Sequence, residues 1–382
     1  MKYCGRCLLP STKPHIAFDE AGICGACRAH DSKNLAENSI DWAERARVFD
    51  DLVEKARARK APLYDVLVPV SGGKDSISQV HRLLGRGLRI LAVNVDYGIK
   101  TEIGRRNLCV VNDMGANLLI YQPEPDLHWR LIRLGLEDWG DPDLMSHTLL
   151  HGYPLHVAQR FEIPLVLLGE NSAFEYSGDE SIGSSPVMTR EWFSKYAANN
   201  GMDATFVSKN YDIPPEKLRT YDFPDDLAES GVTATFMSYY FHWESEEHYN
   251  IARSHGFEAL QQPSEGTYRN FVGIDEKINR IHQYLKVLKF GYGRATDHAC
   301  EDIRNGRLTR EAARELVQKH DLLPLSNYYT DEFLERTGLT QSEFDTILEK
   351  WRNTELWQKN ERGEWFIPNH LQDEPQAARV TA

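Results

Sequence analysis

Apolar positions in the first half of the chain alternate between short continuous runs and helical spacing. The continuous runs suit buried parallel strands, and they lie at 65–70, 88–95, 117–121 and 165–168. Between the runs, apolar residues recur with the period of a helix, over 101–114, 126–136 and 144–161. Strands that alternate with helices of this length predict an α/β fold, with a parallel sheet and helices on both faces.

The pattern differs on either side of this region. Residues 40–60 predict an amphipathic linker helix, with Trp42, Val48 and Phe49 at helical spacing. Periodicity fades from 172 to 265, and a strong helix is predicted over 275–290. We therefore divide the chain into a cysteine segment 1–35, a linker helix 36–62, a nucleotide-binding domain 63–175, an aromatic-rich insertion 176–298 that completes the site, and a helical C-terminal region 299–382 whose tail is frayed after residue 372.

A glycine turn follows the first apolar run and opens a helical pattern. Glycines allow positive φ, and backbone N–H groups at the start of a helix face its positive dipole end, so this turn predicts a phosphate site. A lysine adds charge, two serines add hydroxyl donors, and an aspartate beside phosphate suggests a Mg²⁺ between them. The residues are Ser71, Gly72, Gly73, Lys74, Asp75 and Ser76.

Two other phosphate-binding motifs do not fit the sequence. A Walker A loop requires glycine where Val68 stands, and serine or threonine where Asp75 stands. The dinucleotide fingerprint requires a third small residue, but the two Gly-x-Gly runs are followed by Ile90 and Thr296 at that place. An ordinary glycine turn is the remaining alternative.

Polar residues also follow two later strands. Asn94 and Asp96 end the second strand, and Gly169, Glu170 and Asn171 follow the fourth. In doubly wound sheets the ligand lies at the carboxyl ends of strands. We expect these residues near the nucleotide, with loop capping as the alternative for each polar side chain.

Four of the six cysteines form two C-x-x-C pairs, Cys4 with Cys7 and Cys24 with Cys27. Pairs at this separation are typical of a structural zinc site. Disulfides would need an oxidising compartment, and a redox motif would use a single pair. Cys109 is expected to be a small buried residue on the apolar face of its helix.

Composition and charge argue against some classes of binding partner. The chain has 382 residues and a formal net charge of −13, which argues against broad nucleic-acid binding. No apolar run approaches the ~20 residues of a membrane span, and no signal-peptide pattern is present. We therefore expect no membrane insertion and a cytoplasmic location. An anionic substrate would need a local basic pocket, and Lys286, Lys289 and Arg294 form the densest basic cluster.

The Ser-Gly-Gly-Lys-Asp-Ser loop resembles the PP-loop of the ATP pyrophosphatases, which cleave ATP between its α and β phosphates. The loop, the cysteine pairs, the run 169–175 and the run Lys-Phe-Gly-Tyr-Gly-Arg-Ala-Thr-Asp at 289–297 together resemble the N-acetyl sugar amidotransferases. That family acts in bacterial surface-polysaccharide (O-antigen, lipopolysaccharide), pseudaminic-acid and legionaminic-acid pathways. The resemblance extends from Cys4 to about Trp351.

The resemblance implies conversion of a sugar acetamido group to an acetamidino group through an adenylated imidate, with ATP, Mg²⁺ and ammonia. Lys74 and Asp75 would act on the phosphates, and Glu170 or Glu175 would be the base or orient ammonia. The nucleotide-activated or acidic N-acetyl sugar would meet three further residues, Lys289, Arg294 and Tyr176.

The ammonia source is expected on another chain. An N-terminal-nucleophile glutaminase needs cysteine where Lys2 stands, and the nearest nucleophile elbow fails at Ala26. The family implies a separate glutaminase subunit and an ammonia-channel subunit that resemble the histidine-pathway synthase pair. Two alternatives remain: a PP-loop tRNA thiolase, although the spare Cys109 and Cys300 are far apart in sequence, and a zinc-containing scaffold that senses ATP.

Overall fold

The centre of the molecule is a five-stranded sheet with strand order β3-β2-β1-β4-β5. The computed structural model describes residues 1–34, 40–171, 185–198, 201–227 and 229–372. All four strand pairings are parallel, which confirms the predicted doubly wound α/β fold. The strands are β1 (Val66–Pro69), β2 (Ile90–Val95), β3 (Asn117–Tyr121), β4 (Leu165–Leu168) and β5 (Thr233–Phe236).

The chain adds strands first on one side of β1 and then on the other side. From β1 the chain adds β2 and β3 on one side, then returns to place β4 and β5 on the other. A crevice forms at such a switch point, outside the carboxyl ends of the strands. The glycine turn from Ser71 to Ser76, which we call the phosphate loop, follows β1 directly. It therefore lies at this crevice.

Helices cover both faces of the sheet, as predicted. In β1, Val66 and Val68 pack with side chains of α2, α3 and α4, while Leu67 packs with side chains of α6 on the opposite face. This alternation follows from the two-residue period of a strand. The helices are α1 (Gly25–Asn34), α2 (Trp42–Ala58), α3 (Lys74–Leu84), α4 (Glu102–Asp113), α5 (Pro125–Leu134), α6 (Leu144–Arg160), α7 (Arg190–Trp192), α8 (Ala204–Tyr211), α9 (Met237–Tyr240), α10 (Ser245–Ser254), α11 (Ile278–Phe290), α12 (Arg294–Arg304), α13 (Arg310–His320), α14 (Asn327–Thr337) and α15 (Gln341–Trp351).

The C-terminal region is mainly helical, as predicted, and ends in a small hairpin. Strands β6 (Gln358–Lys359) and β7 (Trp365–Phe366) pair antiparallel. The N-terminal cysteine segment packs against this region, where Tyr292, Cys300 and Val317 join the four paired cysteines in one apolar cluster. The predicted frayed tail lies outside the described residues.

Two placements predicted from helical spacing are wrong. Val48 is 44% exposed, and the buried face of α2 is formed by Phe49, Val53 and Ala56. Cys109 is exposed on α4, one position beyond the buried Leu108. In both cases the residue lies beside the buried stripe of its helix. Among the described residues, no helix is both long enough and apolar enough to cross a membrane.

Candidate nucleotide and substrate site

The phosphate loop is held in place by the close packing of its first glycine. Gly72 has φ of +93°, and a Cβ built there would lie 3.0 Å from the carbonyl oxygen of Gly104 and 3.0 Å from the amide nitrogen of Leu108. Both atoms belong to the backbone of α4, which cannot move aside as a side chain would. Glycine is therefore required at this position by its conformation and by the available space.

The two serines of the loop are engaged within it. Gly73 N–H donates to Ser71 Oγ at 3.1 Å, and the Ser76 hydroxyl donates to the Gly73 carbonyl at 3.0 Å. Ser71 N–H lies 3.4 Å from Ser76 Oγ. These contacts fix the shape of the turn. Ser71 and Ser76 can therefore serve the predicted phosphate site by ordering its backbone N–H groups.

Asp75 lies between two basic side chains at the start of α3. Its Oδ2 accepts from Lys74 Nζ at 2.7 Å, and its Oδ1 lies 2.8 Å from Nδ1 of the buried His248. Burial alone would raise the pKa of Asp75, but the Lys74 ammonium and the His248 imidazole outweigh burial and hold that pKa below its usual range. The carboxylate is thus ionised, and an ionised carboxylate beside bound phosphates is a fitting ligand for Mg²⁺.

Sequence reasoning missed His248. It lies on α10, which packs along α3, and its ring lies edge-on to Trp243 with the centroids 4.4 Å apart. Nothing in its local sequence distinguishes it from other helical histidines. Its importance comes from a contact with a residue 173 positions earlier in the chain.

Asn94, near the end of β2, and Asp96, directly after β2, differ in their hydrogen bonds. Asn94 is buried, and its amide donates to the Val70 carbonyl at 2.7 Å, while its Oδ1 has no hydrogen-bond partner among the described residues. Asp96 accepts from Gly98 N–H at 2.8 Å and lies 3.5 Å from Arg105. Both residues stand at the carboxyl edge, as predicted. Asn94 leaves a buried acceptor beside the loop, whereas Asp96 forms a local cap.

The three residues after β4 differ in their surroundings: two are packed against other side chains and one is exposed. A Cβ at Gly169 would lie 3.1 Å from the Gln79 amide nitrogen and from the Trp243 ring, so a larger residue would require these side chains to shift by a few tenths of an ångström. Asn171 Oδ1 accepts from the Trp192 indole at 3.0 Å. Glu170 is exposed at the same edge. The predicted Glu175 and Tyr176 lie outside the described residues.

The segment before α11 docks on the helix that supports the loop. Thr101 N–H donates to the Asp275 carbonyl at 3.0 Å. Lys100 forms a backbone bridge with Glu276, and its Nζ donates to the Ser71 carbonyl at 3.3 Å. Gly104 leaves no room for a side chain because the Asp275 backbone lies against it. Asp275 and Glu276, just before α11, therefore contact both α4 and the lysine that reaches the phosphate loop.

His298 of α12 is influenced by basic side chains from several elements. This histidine is buried, and its Nδ1 lies 2.6 Å from the Thr267 hydroxyl. Its pKa is held well below the usual value, first by burial and then by the charges of Arg269, Arg294, Lys74 and Lys286. Lys74 of the loop and Arg294 of α12 thus both oppose protonation of His298, although Lys74 also pairs with Asp75 and Lys286 with Asp297.

Lys289 points away from Arg294. Its Nζ donates to the Gly140 carbonyl at 2.8 Å, close to Asp141. Lys286, one turn earlier on α11, forms an ion pair with Asp297 and lies 4.3 Å from the Tyr292 ring centroid. The structure thus groups Lys286, and not Lys289, with Arg294. Lys286 belongs to the basic cluster that the sequence predicts.

The four paired cysteines fit a tetrahedral zinc ion. They are fully buried, and their sulfur atoms all lie within 4.8 Å of one another. Cys7 and Cys24 sulfurs are 3.8 Å apart, which is the edge of a tetrahedron with Zn–S bonds of about 2.3 Å. The spare cysteines do not meet, because Cys300 is buried beside this cluster and Cys109 is exposed on α4.

Comparisons with known proteins give one family match and a distant fold likeness. Residues 265–371 match the family model described as "LPS biosynthesis protein WbpG-like, C-terminal domain". A solved structure of NMN synthetase from Francisella tularensis aligns with a TM-score of 0.37 and 10% identity, over 79% of this chain and 98% of that one. A comparison with curated proteins gives no match. The WbpG-like match, beside a parallel sheet that carries the phosphate loop, fits an N-acetyl sugar amidotransferase family.

Proposed function

We propose that this protein is an ATP-dependent enzyme of lipopolysaccharide biosynthesis that converts a sugar acetamido group into an acetamidino group. The observation that carries the proposal is the docking of the WbpG-like region on the phosphate loop. Lys100 links Glu276 to the Ser71 carbonyl, and the Asp275 backbone packs against Gly104 of α4, the helix that Gly72 contacts. The turn would bind the phosphates of ATP, and the WbpG-like region would act in the same reaction.

The chemistry starts from a poor leaving group. An amide oxygen must be activated before an amine can replace it, so the acetamido oxygen attacks the α phosphorus of ATP and pyrophosphate leaves. Ammonia then adds to the imidate carbon, and AMP departs with the original oxygen. Lys74 and the backbone N–H groups of the loop hold the departing phosphates. Mg²⁺, held in part by Asp75, would neutralise their charge. Well-oriented reactants can supply roughly 7–11 kcal/mol of the rate enhancement.

The remaining roles follow from position and charge. Arg294 and Lys286 suit the phosphates of a nucleotide-activated sugar or the carboxylate of an acidic one, such as a pseudaminic or legionaminic acid precursor. Exposed Glu170 is retained as a candidate base, together with Glu175. A partner glutaminase with an ammonia-channel subunit supplies the nitrogen in the cytoplasm, and zinc has a structural role.

Mass spectrometry tests the proposal directly. The protein is incubated with ATP, Mg²⁺ and ammonium across a panel of nucleotide-linked di-N-acetyl sugars and nonulosonic acids. We expect AMP together with a product in which NH replaces O, and we expect neither from the Lys74→Met variant. AMP without the mass change would move the acceptor elsewhere. Absence of AMP with every sugar would favour the ATP-sensing scaffold.

A further inference from the structure

A cavity of about 1120 Å³ lies between α5, which follows β3 of the sheet, and α14, which belongs to the WbpG-like region. Its lining comes from residues 125–133 and 327–337, together with Lys277; we call it the α5–α14 cleft. The two helices pack through the rings of Trp129 and Phe333, whose centroids are 6.1 Å apart. Sites for small ligands are usually clefts of about 300–1,000 Å³, so the cleft has room for one.

The cleft is beside the segment that connects β2 to α4, residues 96–101. The guanidinium of Arg336, a lining residue, lies 3.8 Å from a Cβ built at Gly98 in this segment. Lys100 of the same segment donates its Nζ to the Ser71 carbonyl of the phosphate loop at 3.3 Å. The segment therefore contacts the cleft through one residue and the phosphate loop through another, at the carboxyl ends of the strands.

Acidic and basic side chains are equally numerous in the cleft, with four of each in its lining. Glu332 accepts from Lys277 at 3.0 Å and lies 3.7 Å from Arg336. Asp331 and Glu335 form no ion pair within the described parts of the chain. A phosphate group only accepts hydrogen bonds, and these carboxylates would repel it. The charges of the lining therefore argue against a phosphate as its ligand.

The lining suits a ligand with several hydroxyl groups. Guanidinium and ammonium groups only donate hydrogen bonds and carboxylates only accept them, whereas each hydroxyl does both. Tyr328 adds an aromatic surface: the residue is 56% exposed, and Lys277 Nζ lies 4.7 Å from its ring centroid. A tyrosine ring offers an apolar face to the C–H groups of a sugar, and its hydroxyl can bond the polar groups. These features together are typical of a carbohydrate site.

We propose that the α5–α14 cleft binds the glycosyl part of the N-acetyl sugar substrate, with Tyr328 against the sugar ring and Asp331 accepting from its hydroxyl groups. The assignment rests on the proposed function, which supplies the sugar. Arg294, which suits the phosphates of a nucleotide-activated sugar, packs against Gly273. Gly273 is four residues before Lys277 of the cleft, so one short stretch of chain connects the residue that suits the phosphates with the site for the sugar.

Calorimetric titration of the full-length protein tests the cleft without any reaction. UDP-N-acetylglucosamine is compared with UDP, and CMP-N-acetylneuraminic acid with CMP. An ATP analogue with a methylene group between its α and β phosphates is present throughout, so that no probe enters the phosphate loop. We expect at least one sugar nucleotide to bind at least about tenfold more tightly than its parent nucleotide. If neither does, the proposal is overturned.

Variants of two cleft residues test where the sugar binds. Tyr328→Ala should weaken binding of that sugar nucleotide by roughly tenfold, and Tyr328→Phe, which keeps the ring, should recover most of the loss. Asp331→Asn should also weaken it, because a charged acceptor is lost. The parent nucleotide should bind equally to all variants. Both residues are exposed, so neither change removes a buried contact. Unchanged sugar affinity in Tyr328→Ala and Asp331→Asn would overturn the proposal.

Two exposed residues outside the cleft provide matched controls. Phe366 on β7 is an aromatic residue that is 41% exposed, and Asp345 is an exposed carboxylate on α15. Phe366→Ala and Asp345→Asn should bind the sugar nucleotide as the unchanged protein does. Equal losses of sugar binding in the controls and in the cleft variants would contradict a specific role of the cleft.

Turnover separates the cleft from the proposed function. In the amidine assay, we expect Tyr328→Ala to raise the KM for the sugar roughly tenfold with little change in kcat. Sugar binding that depends on Tyr328, without any amidine formation, would support the cleft and refute the proposed function. Amidine formation with the same sugar KM in Tyr328→Ala, in Asp331→Asn and in the unchanged protein would refute the cleft and leave the function intact.

Discussion

At Gly72 the backbone conformation and the surrounding space impose separate requirements, and the chain contains a control that separates them. Gly115 also has positive φ, +107°, but no atom lies within 4 Å of a Cβ built there. Alanine at Gly115 should cost about 1–2 kcal/mol of backbone strain. Alanine at Gly72 adds a clash with the backbone of α4, so we expect a larger loss of unfolding free energy and loss of AMP formation. Urea unfolding and an AMP assay compare the two variants; equal losses, or an active Gly72→Ala, would contradict this account.

His248 provides a second test at the scale of single residues. Removing its imidazole in His248→Gln leaves Asp75 with Lys74 alone, so the folded-state pKa of Asp75 should rise. A carboxylate whose pKa is depressed by folding stabilises the protein above its unfolded pKa, and that contribution disappears as the pH falls through the folded pKa. The stability difference between the unchanged protein and His248→Gln should therefore be largest at neutral pH and shrink on acidification, as measured by urea unfolding at several pH values.

The control for His248 is on the same stretch of chain. His255 directly follows α10 and lies 2.8 Å from His81, away from the phosphate loop. We expect His255→Gln to keep full ATP-dependent activity, whereas His248→Gln should lose about tenfold in kcat/KM for ATP, equivalent to about 1.4 kcal/mol. Equal activity in the two variants would mean that His248 only supports packing.

Local sequence predicts a site residue when its chemistry depends on near neighbours. Gly72 and Lys74 could be found because the glycine turn and the helix start are adjacent in the chain. His248 could not, since its partner Asp75 is 173 residues away.

Among the elements, prediction succeeded where periodicity was continuous. β3 has the predicted bounds, and β1 and β2 begin one and two residues later than predicted. β5 was not predicted because its sequence, Thr-Ala-Thr-Phe, is not a continuous apolar run and leads directly into α9. Its place in the sheet is decided by pairing with β4, which is a tertiary contact that no short window of sequence contains.

Helix α12 depends on an unusual cap that can be tested. Buried Asp321 accepts from Gly293 N–H at 2.7 Å, Thr296 N–H at 3.0 Å and the Thr296 hydroxyl at 2.7 Å. Asparagine retains only one accepting oxygen, so Asp321→Asn should leave a buried donor unsatisfied and cost about 1–3 kcal/mol of unfolding free energy. Because α12 carries Arg294, we also expect a higher KM for the anionic sugar that is proposed above as the substrate.

An ordinary cap on the next helix is the matched control. Thr309 Oγ1 accepts from Ala312 N–H at 3.2 Å at the start of α13. Thr309→Ala should cost about 1 kcal/mol and leave the KM for the sugar unchanged. If both variants lose stability but neither changes that KM, the position of Arg294 does not contribute to sugar binding.

At the scale of the whole molecule, net charge conceals the local distribution. The chain carries a formal charge of −13, yet burial together with the charges of Arg294, Lys74 and Lys286 keeps the pKa of His298 below its usual value. Composition predicts that an anionic substrate would need a local basic pocket, and the fold brings Lys286 of α11 against Asp297 of α12, the helix that carries Arg294.

The cysteine segment contacts distant parts of the C-terminal region, so a zinc ion held by its four cysteines would also affect that region. Arg310 of α13 donates to the carbonyls of Cys7 and Cys4 at 3.1 and 3.2 Å. Leu371 N–H donates to the Tyr3 hydroxyl at 3.0 Å. Structural zinc couples metal binding to folding of its segment, so loss of the ion should also loosen the helices that these contacts fix.

We therefore expect Cys24→Ser to lose zinc, to lower Tm by at least about 5 °C, and to increase hydrogen exchange across α12 and α13. AMP formation should fall as well, although no cysteine lies at the phosphate loop, because Arg294 and His298 are on α12. Cys109→Ser, on the exposed side of α4, is the control and should change none of these quantities. Elemental analysis, thermal unfolding and hydrogen-exchange mass spectrometry measure the effects. If Cys24→Ser lost zinc yet kept the exchange pattern of α12 and α13, the segment would fold independently of the region against which it packs.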